Sequence, residues 1–258
     1  ALKQVRFLIA LMLANFVIIP ILVFALVAMF LEDPMLRFGV MLVLLAPCID
    51  YVVTFAHLGR ADARLLLAST PALLITQMLM LPLYLSLMLG DDVASYIQAG
   101  PFLHAFVWLI AVPLVLAGAI QFFAKRSRSG KQLADILGLT PVPATALVLF
   151  IVILAVLPQL GSAIDAVWKV LPIYFAFAIL APVIGWWIAR QTKLDSPSSR
   201  SVAFSSATRN SLIVLPLALA VPGAIPVLPA IIVAQTLVEL IAELVYIHVI
   251  AKWGDSDT

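Results

Sequence analysis

Long apolar runs, separated by short polar clusters, set the pattern of this chain. Crossing ~30 Å of hydrocarbon takes about 20 residues of helix. Eight stretches of about that length follow one another, at roughly 6–31, 35–58, 64–89, 101–125, 141–162, 166–190, 200–221 and 225–251. They are termed spans A to H. The breaks between them carry turn formers and charge: Glu32-Asp33-Pro34, Gly59-Arg60, Gly90-Asp91-Asp92, Lys125 through Thr140, Ser196-Pro197 and Pro222-Gly223. The pattern predicts an all-α membrane protein.

Composition agrees. Of the 258 residues, 64% are hydrophobic and 11% charged. A soluble domain carries about 25% charged residues, so the lipid bilayer is the expected solvent. The net charge of +2 gives no reason to expect a nucleic-acid partner. A single cysteine, Cys48, excludes an internal disulfide. Residue 1 is Ala, which suggests a processed or cropped chain. Arg6–Leu31 is too long for a cleaved signal peptide.

Loop charges test the span count. Alternate loops and ends hold Lys3, Arg6, Arg60, Arg64, Lys125, Arg126, Arg128, Lys131, Arg190, Lys193, Arg200 and Lys252. The opposite set holds only Arg37 and Lys169, with Glu32, Asp33, Asp91, Asp92 and Asp165. The positive-inside rule makes the first side cytoplasmic, with both ends of the chain there, in a cell (inner) membrane.

The chain also carries an internal echo. Pro71-Ala72-Leu73-Leu74-Ile75-Thr76-Gln77 in span C and Pro229-Ala230-Ile231-Ile232-Val233-Ala234-Gln235 in span H share Pro, Ala and Gln in register. Each follows a span with a polar middle, Pro47-Cys48-Ile49-Asp50 in B and Thr208-Arg209-Asn210-Ser211 in G. Each of those follows a span with a central proline, Pro20 or Pro182. Spans A-B-C therefore pair with F-G-H in opposite senses, the inverted-repeat architecture of secondary transporters. Residues 1–90 form the first-repeat core helices, 91–165 panel helices D and E, and 166–258 the second-repeat core helices. Symmetry predicts two further helices upstream of Ala1, in a parent of ten. A groove would then remain where they belong.

Four ionisable residues fall inside spans: Asp50, Arg209, Glu239 and Glu243. A charge at mid-membrane costs about 2.5–3.5 kcal/mol on insertion scales, so each needs a partner or a water-filled cavity. If B and G are broken helices that cross, Asp50 and Arg209 are expected to pair there, either as a structural clasp or as working groups. Pro47 supports a break in B; the small polar run Ser205-Ser206-Ala207-Thr208 supports one in G. Cys48 reads either as a small buried hydrophobe or as a soft ligand for a metalloid. Glu239 and Glu243 lie one turn apart on span H. Glu239 is the deeper and a candidate proton relay, while Glu243 either joins it as an intramembrane functional group or only snorkels towards the cytoplasmic side. Asn15, Thr76, Gln77, Gln235 and Thr236 read as interhelical hydrogen-bond formers, and His57, His104 and His248 as interfacial. Hydrolase, zinc-protease and phosphate-loop signatures are absent, so neither an enzyme nor an ATP-driven pump is expected and no cofactor is called for.

The motifs Ala46-Pro47-Cys48-Ile49-Asp50-Tyr51 and Ala207-Thr208-Arg209-Asn210-Ser211 resemble the arsenical-resistance branch of the bile acid:sodium symporter superfamily. The resemblance covers essentially the whole chain, as family helices three to ten of ten. It implies a core domain moving against a panel domain. It also implies a metalloid-handling role for Cys48, and a substrate site including Asp50, Thr208, Arg209 and Asn210. Arsenite exporters of this branch carry a Glu two residues after the Asn, where this chain has Leu212. Sodium-coupled relatives carry a Glu and a Gln where this chain has Ser205 and Arg209. A fixed guanidinium there argues against sodium and for a proton, carried on Asp50 or Glu239. The resulting expectation is a proton-coupled exporter of arsenite, antimonite or a related small solute. A symporter of an organic anion, with Arg209 meeting its carboxylate, and a non-transporting scaffold or receptor are the alternatives.

Overall fold

A computed structural model describes residues 2–89, 107–108, 112–124, 126–127, 129–132, 147, 150–151, 154, 160–219, 221, 223 and 225–254. Most of span E, much of span D and His104 lie outside the described residues, as does most of the expected panel region. What is described is helical. Leu2–Leu13 (α1) and Ile19–Phe30 (α2) are joined by a π-helical turn, Ala14–Ile18. Then come Pro34–Leu44 (α3), Val52–Leu58 (α4), Ala63–Leu89 (α5) and Val112–Ala124 (α6). Leu160–Gln191 (α7), Ser196–Ala207 (α8), Ser211–Leu219 (α9) and Val227–Val249 (α10) follow. Among the described residues, four helices are long and apolar enough to cross a membrane: Lys3–Phe30, Ala63–Leu87, Ala163–Gln191 and Val227–Lys252. They expose large apolar side chains such as Ile21, Phe24, Leu79, Trp168, Ile179 and Ile241. The polar helix α8 is buried from Ser198 to Ala207. Apolar outside and polar inside is the distribution that a lipid solvent selects.

Spans B and G are each broken. α3 stops at Leu44 and the next helix begins at Val52. Pro47 explains the stop, since it has no N–H to donate and disfavours helix at Ala46. In G the break falls at the last residue of the small polar run that suggests it. Ser205, Ser206 and Ala207 stay helical, and the chain opens at Thr208, whose φ of −97° and ψ of 130° are extended. No proline forces this; Thr208 opens where it meets the break in B. Each broken span starts on the same device, an aspartate N-cap with proline at one of the first two helical positions, Pro34 or Pro197. Asp33 accepts from the N–H groups of Met35 and Leu36; Asp195 accepts from that of Ser198. Burial pushes the Asp195 carboxyl up, but hydrogen bonds from Ser198 and Lys3 outweigh it and hold it below the usual value.

The two halves echo each other in a register one helical turn away from the one in the sequence. The Pro71 and Pro229 runs are spaced by 158, whereas structural equivalents are spaced by 162: Asp195 less Asp33, and Arg209 less Pro47, both give that number. In this register Gln77 corresponds to Glu239. The same spacing relates a matched pair of proline repairs. Pro20 cannot donate to the carbonyl of Phe16, and the Tyr84 hydroxyl donates to it instead. Pro182 likewise frees the carbonyl of Ala178, to which the Tyr246 hydroxyl donates. Tyr84→Phe or Tyr246→Phe is expected to destabilise the protein by about 0.5–1.5 kcal/mol. Most of that loss should disappear in the background of Pro20→Ala or Pro182→Ala respectively, which restores the helical N–H. A double-mutant cycle on thermal unfolding checks it, and equal Tyr→Phe losses in both backgrounds would refute the repair.

One boundary moves. α7 begins at Leu160, so Asp165 is an exposed helical residue rather than part of a loop. Charged residues near several helix ends gather together. Lys3 lies 2.9 Å from Asp195 and 3.7 Å from Asp62. Arg200 donates to the carbonyls of Arg60 and Trp253. Glu32, Asp33 and Lys169 line a common surface hollow of their own.

Candidate functional site

The two breaks meet. Pro47 and Arg209 form an isolated antiparallel β-bridge. It is flanked by the Cys48 N–H donating to Thr208 O at 3.0 Å and the Asn210 N–H donating to Ala46 O at 2.7 Å. Pro47 and Arg209 are therefore the non-hydrogen-bonded pair of this miniature ladder. Such a position asks no N–H of proline and leaves the N–H of Arg209 pointing away from its partner. That N–H donates to Glu239 Oε2 at 2.7 Å.

Arg209 is fully buried. Its guanidinium turns back onto the carboxyl ends of two half-helices, where backbone carbonyls lack helical donors. Nη2 donates to Ser205 O and Ser206 O, both at 2.7 Å, and to Asn15 Oδ1 at 3.0 Å; Nη1 donates to Leu44 O at 3.2 Å. These are the negative ends of α8 and α3, which favour a cation. The Phe177 ring lies 5.3 Å from the guanidinium carbon, close enough for a cation–π contact. Asn15 is fixed in turn by donating to Leu11 O and Ser205 Oγ, both at 3.1 Å.

Asp50 is not the partner of Arg209. The helices cross as expected, but among the described residues the ion pairs are those of Lys3. Asp50 lies past the bridge, just before α4, and is exposed. The guanidinium is drawn the other way by the carbonyls of Leu44, Ser205 and Ser206. The carboxylate nearest the crossing backbone is Glu239. It also accepts from Gln235 Nε2 at 2.7 Å and from the Tyr51 hydroxyl at 2.5 Å, and that hydroxyl lies 3.0 Å from Arg209 O. Glu243 does not snorkel: it is fully buried, and its Oε1 is hydrogen-bonded to Thr208 Oγ1. The spacing of four residues on α10 thus sets two carboxyl groups against the extended segment 208–210.

The remaining candidates divide. Ser205 and Thr208 are fully buried beside Arg209 and Glu243, and the Asn210 Oδ1 caps α9 through the N–H of Ile213. Cys48 is a free, buried thiol packed in an apolar cluster with Phe204, Ala207 and Tyr246. Among the described residues no three His, Cys, Asp or Glu side chains converge as a metal site. Thr236 donates within its own helix, to Ile232 O, and is not an interhelical link. His57 and His248 are exposed near helix ends. Sequence reasoning did not find Tyr51 or Phe177 as neighbours of the charges. Tyr51 carried a signal, adjacency to Asp50 in a broken span; Phe177 carried none. Close packing supports the cradle. A Cβ on Gly185 of α7 would come within 2.4 Å of Ser206 Oγ, so glycine lets α7 approach α8 beside the guanidinium.

Two broken helices that cross inside a bundle of membrane-length helices, with buried charge at the crossing, define a membrane protein of the secondary-transporter class. Family comparison makes this specific. The profile of the sodium bile acid symporter family matches residues 1–166, and the chain belongs to that family. It is therefore a multi-pass membrane transporter rather than an enzyme, of a family that couples solute movement to an ion, classically sodium. The match contains Asn15 and Cys48–Tyr51; Arg209, Glu239 and Glu243 lie beyond it. No curated protein matches the chain.

Proposed function

We propose that this protein is a proton-coupled secondary transporter working by alternating access, with the crossing at Pro47 and Arg209 as its ion-handling centre. One observation carries the reading: the Arg209 guanidinium fills the oxygen cradle formed by Leu44, Ser205, Ser206 and Asn15. Carbonyls at half-helix ends are the groups with which transporters of this architecture hold coupling cations. A tethered cation supplies that charge permanently, so a mobile sodium ion is not required there. Asp50, exposed at the crossing, is placed to trade a proton with water. Glu239, held by three donors, is the anion that balances Arg209.

The paired breaks, aspartate caps and tyrosine repairs support an inverted repeat of A-B-C and F-G-H, within eight spans, with the basic ends in the cytoplasm. For the substrate, the Pro-Cys resemblance supports export of arsenite, antimonite or a related small solute, with Cys48 handling the metalloid beside Asp50, Thr208 and Asn210. The organic-anion reading loses its main residue in this conformation, because the guanidinium is already engaged by protein oxygens. The test is arsenite accumulation in cells expressing the full-length protein, in sodium-containing and sodium-free medium, with and without a protonophore. Expected are lowered accumulation in both media, abolished by the protonophore, and loss of the effect in Cys48→Ser. Strict dependence on sodium would overturn the coupling, and full export by Cys48→Ser would overturn the metalloid role.

A further inference from the structure

The carboxyl group of Glu243 differs from that of Glu239 in its surroundings. Glu239 Oε2 accepts two N–H donors, an arrangement suited to a carboxylate, and the Tyr51 hydroxyl gives its one hydrogen to Oε1 at 2.5 Å in preference to the longer contact with Arg209 O at 3.0 Å. Glu243 has one contact. Its Oε1 meets Thr208 Oγ1, its Oε2 has no hydrogen-bond partner, and the residue is fully buried. An ionised carboxylate isolated in this way would bear a large desolvation cost.

The hydroxyl of Thr208 adds a second, independent constraint. Thr208 Oγ1 lies 2.7 Å from Phe204 O as well as against Glu243 Oε1. A hydroxyl has one hydrogen, and a carbonyl only accepts. Both contacts are hydrogen bonds only if the carboxyl group supplies the other hydrogen. The satisfied chain runs from Glu243 O–H to Thr208 Oγ1, and from Thr208 O–H to Phe204 O. Charge counting agrees: one guanidinium is balanced by Glu239, which leaves no cation for a second anion among the described residues at the crossing.

We propose that Glu243 is a proton-binding site, a neutral acid in this conformation that donates to Thr208 at the broken helix. This rests on the proton-coupled reading above and adds a second seat to Asp50. The titratable groups around it are Glu239 and Tyr246 on its own helix, Tyr51 beyond the first break and Arg209 beside Thr208. Release passes the proton from the carboxyl oxygen to water and leaves a carboxylate. That anion needs a counter-charge, and the guanidinium of Arg209 is held elsewhere by carbonyls. Deprotonation therefore demands rearrangement of the crossing, which ties the proton to the change of conformation.

Infrared difference spectroscopy on the purified full-length protein tests this, comparing wild type with Glu243→Gln and Glu239→Gln over an alkaline titration, all in an Asp50→Asn background so that Asp50 contributes no band. The expected result is a protonated-carboxyl band in wild type and in Glu239→Gln that is missing from Glu243→Gln. Glu243→Gln should keep the wild-type thermal midpoint, because a neutral amide can donate to Thr208 as the acid does. The band persisting in Glu243→Gln would overturn the proposal. Failure of Glu243→Gln to fold would also overturn it, because an uncharged mimic would then not replace the native group. None of these readouts uses transport, so a sodium-dependent wild type would refute the coupling mechanism without deciding the state of Glu243.

Discussion

Glu239→Ala is expected to be the most damaging single truncation on α10. Its carboxylate receives the backbone N–H of Arg209, the side-chain amide of Gln235 and the hydroxyl of Tyr51. All three donors sit at the crossing, where lipid-embedded protein offers no bulk water to replace the lost acceptor. Each orphaned buried donor costs about 1–3 kcal/mol; the Tyr51 hydroxyl alone keeps another acceptor, Arg209 O. The N–H of Arg209 has no alternative in the ladder, because Pro47 opposite it occupies a non-hydrogen-bonded position. The substitution also leaves the buried guanidinium without its balancing charge. Membrane abundance and thermal midpoint of the full-length protein should both fall sharply. Glu239→Gln should fall less in stability, since its amide oxygen still accepts, while losing the charge. A wild-type midpoint for Glu239→Ala would mean that the carboxylate does not hold the crossing.

Why the sequence led to the crossing but not to its wiring can be followed residue by residue. The four long helices of spans A, C, F and H were legible because apolar runs of membrane length have few other readings. The break at Pro47 was legible because proline removes a donor whatever surrounds it. The break in G is legible only as a small polar run ending at Thr208, because no proline opens the chain there; the opening is paired with Ala46 and Cys48, 162 and 160 residues away. The same limit hid the partner of Arg209. Depth alone suggested Asp50, the other charge at mid-span. Side-chain direction decided otherwise, since carbonyls at two helix ends attract a guanidinium as surely as a carboxylate does. Those carbonyls carry no sequence signature. The repeat register failed for a related reason. Pro71 and Pro229 look equivalent as letters, while the tyrosines that repair Pro20 and Pro182 reveal the register through what they bond. Glu243 was ambiguous because α10 is long enough to carry a glutamate to either depth, and only the position of Thr208 fixes it.

Arg209→Gln is expected to destabilise the protein by about 3–5 kcal/mol, the usual cost of removing one member of a buried charge arrangement. The loss has two parts. The carbonyls of Leu44, Ser205 and Ser206 lose their donor at the ends of α3 and α8, and Glu239 is left as a buried anion with no cation. Asp50→Asn removes an exposed charge that forms no ion pair with Arg209, so it should change stability by no more than about 0.5 kcal/mol. If Asp50 and Arg209 were a direct pair, the double mutant would recover the loss. The observed wiring predicts no recovery: with no shared partner, the two effects should add to within about 0.5 kcal/mol. Glu239→Gln is the second-site change expected to offset Arg209→Gln in part, because it removes the charge that the guanidinium balances. Scoring membrane abundance and transport separately divides the roles further. Asp50→Asn should reach the membrane in normal amounts yet lose proton-driven transport, whereas Arg209→Gln should fail in abundance first. Recovery of Arg209→Gln by Asp50→Asn, without any recovery by Glu239→Gln, would show that the working partner of Arg209 is the exposed aspartate after all.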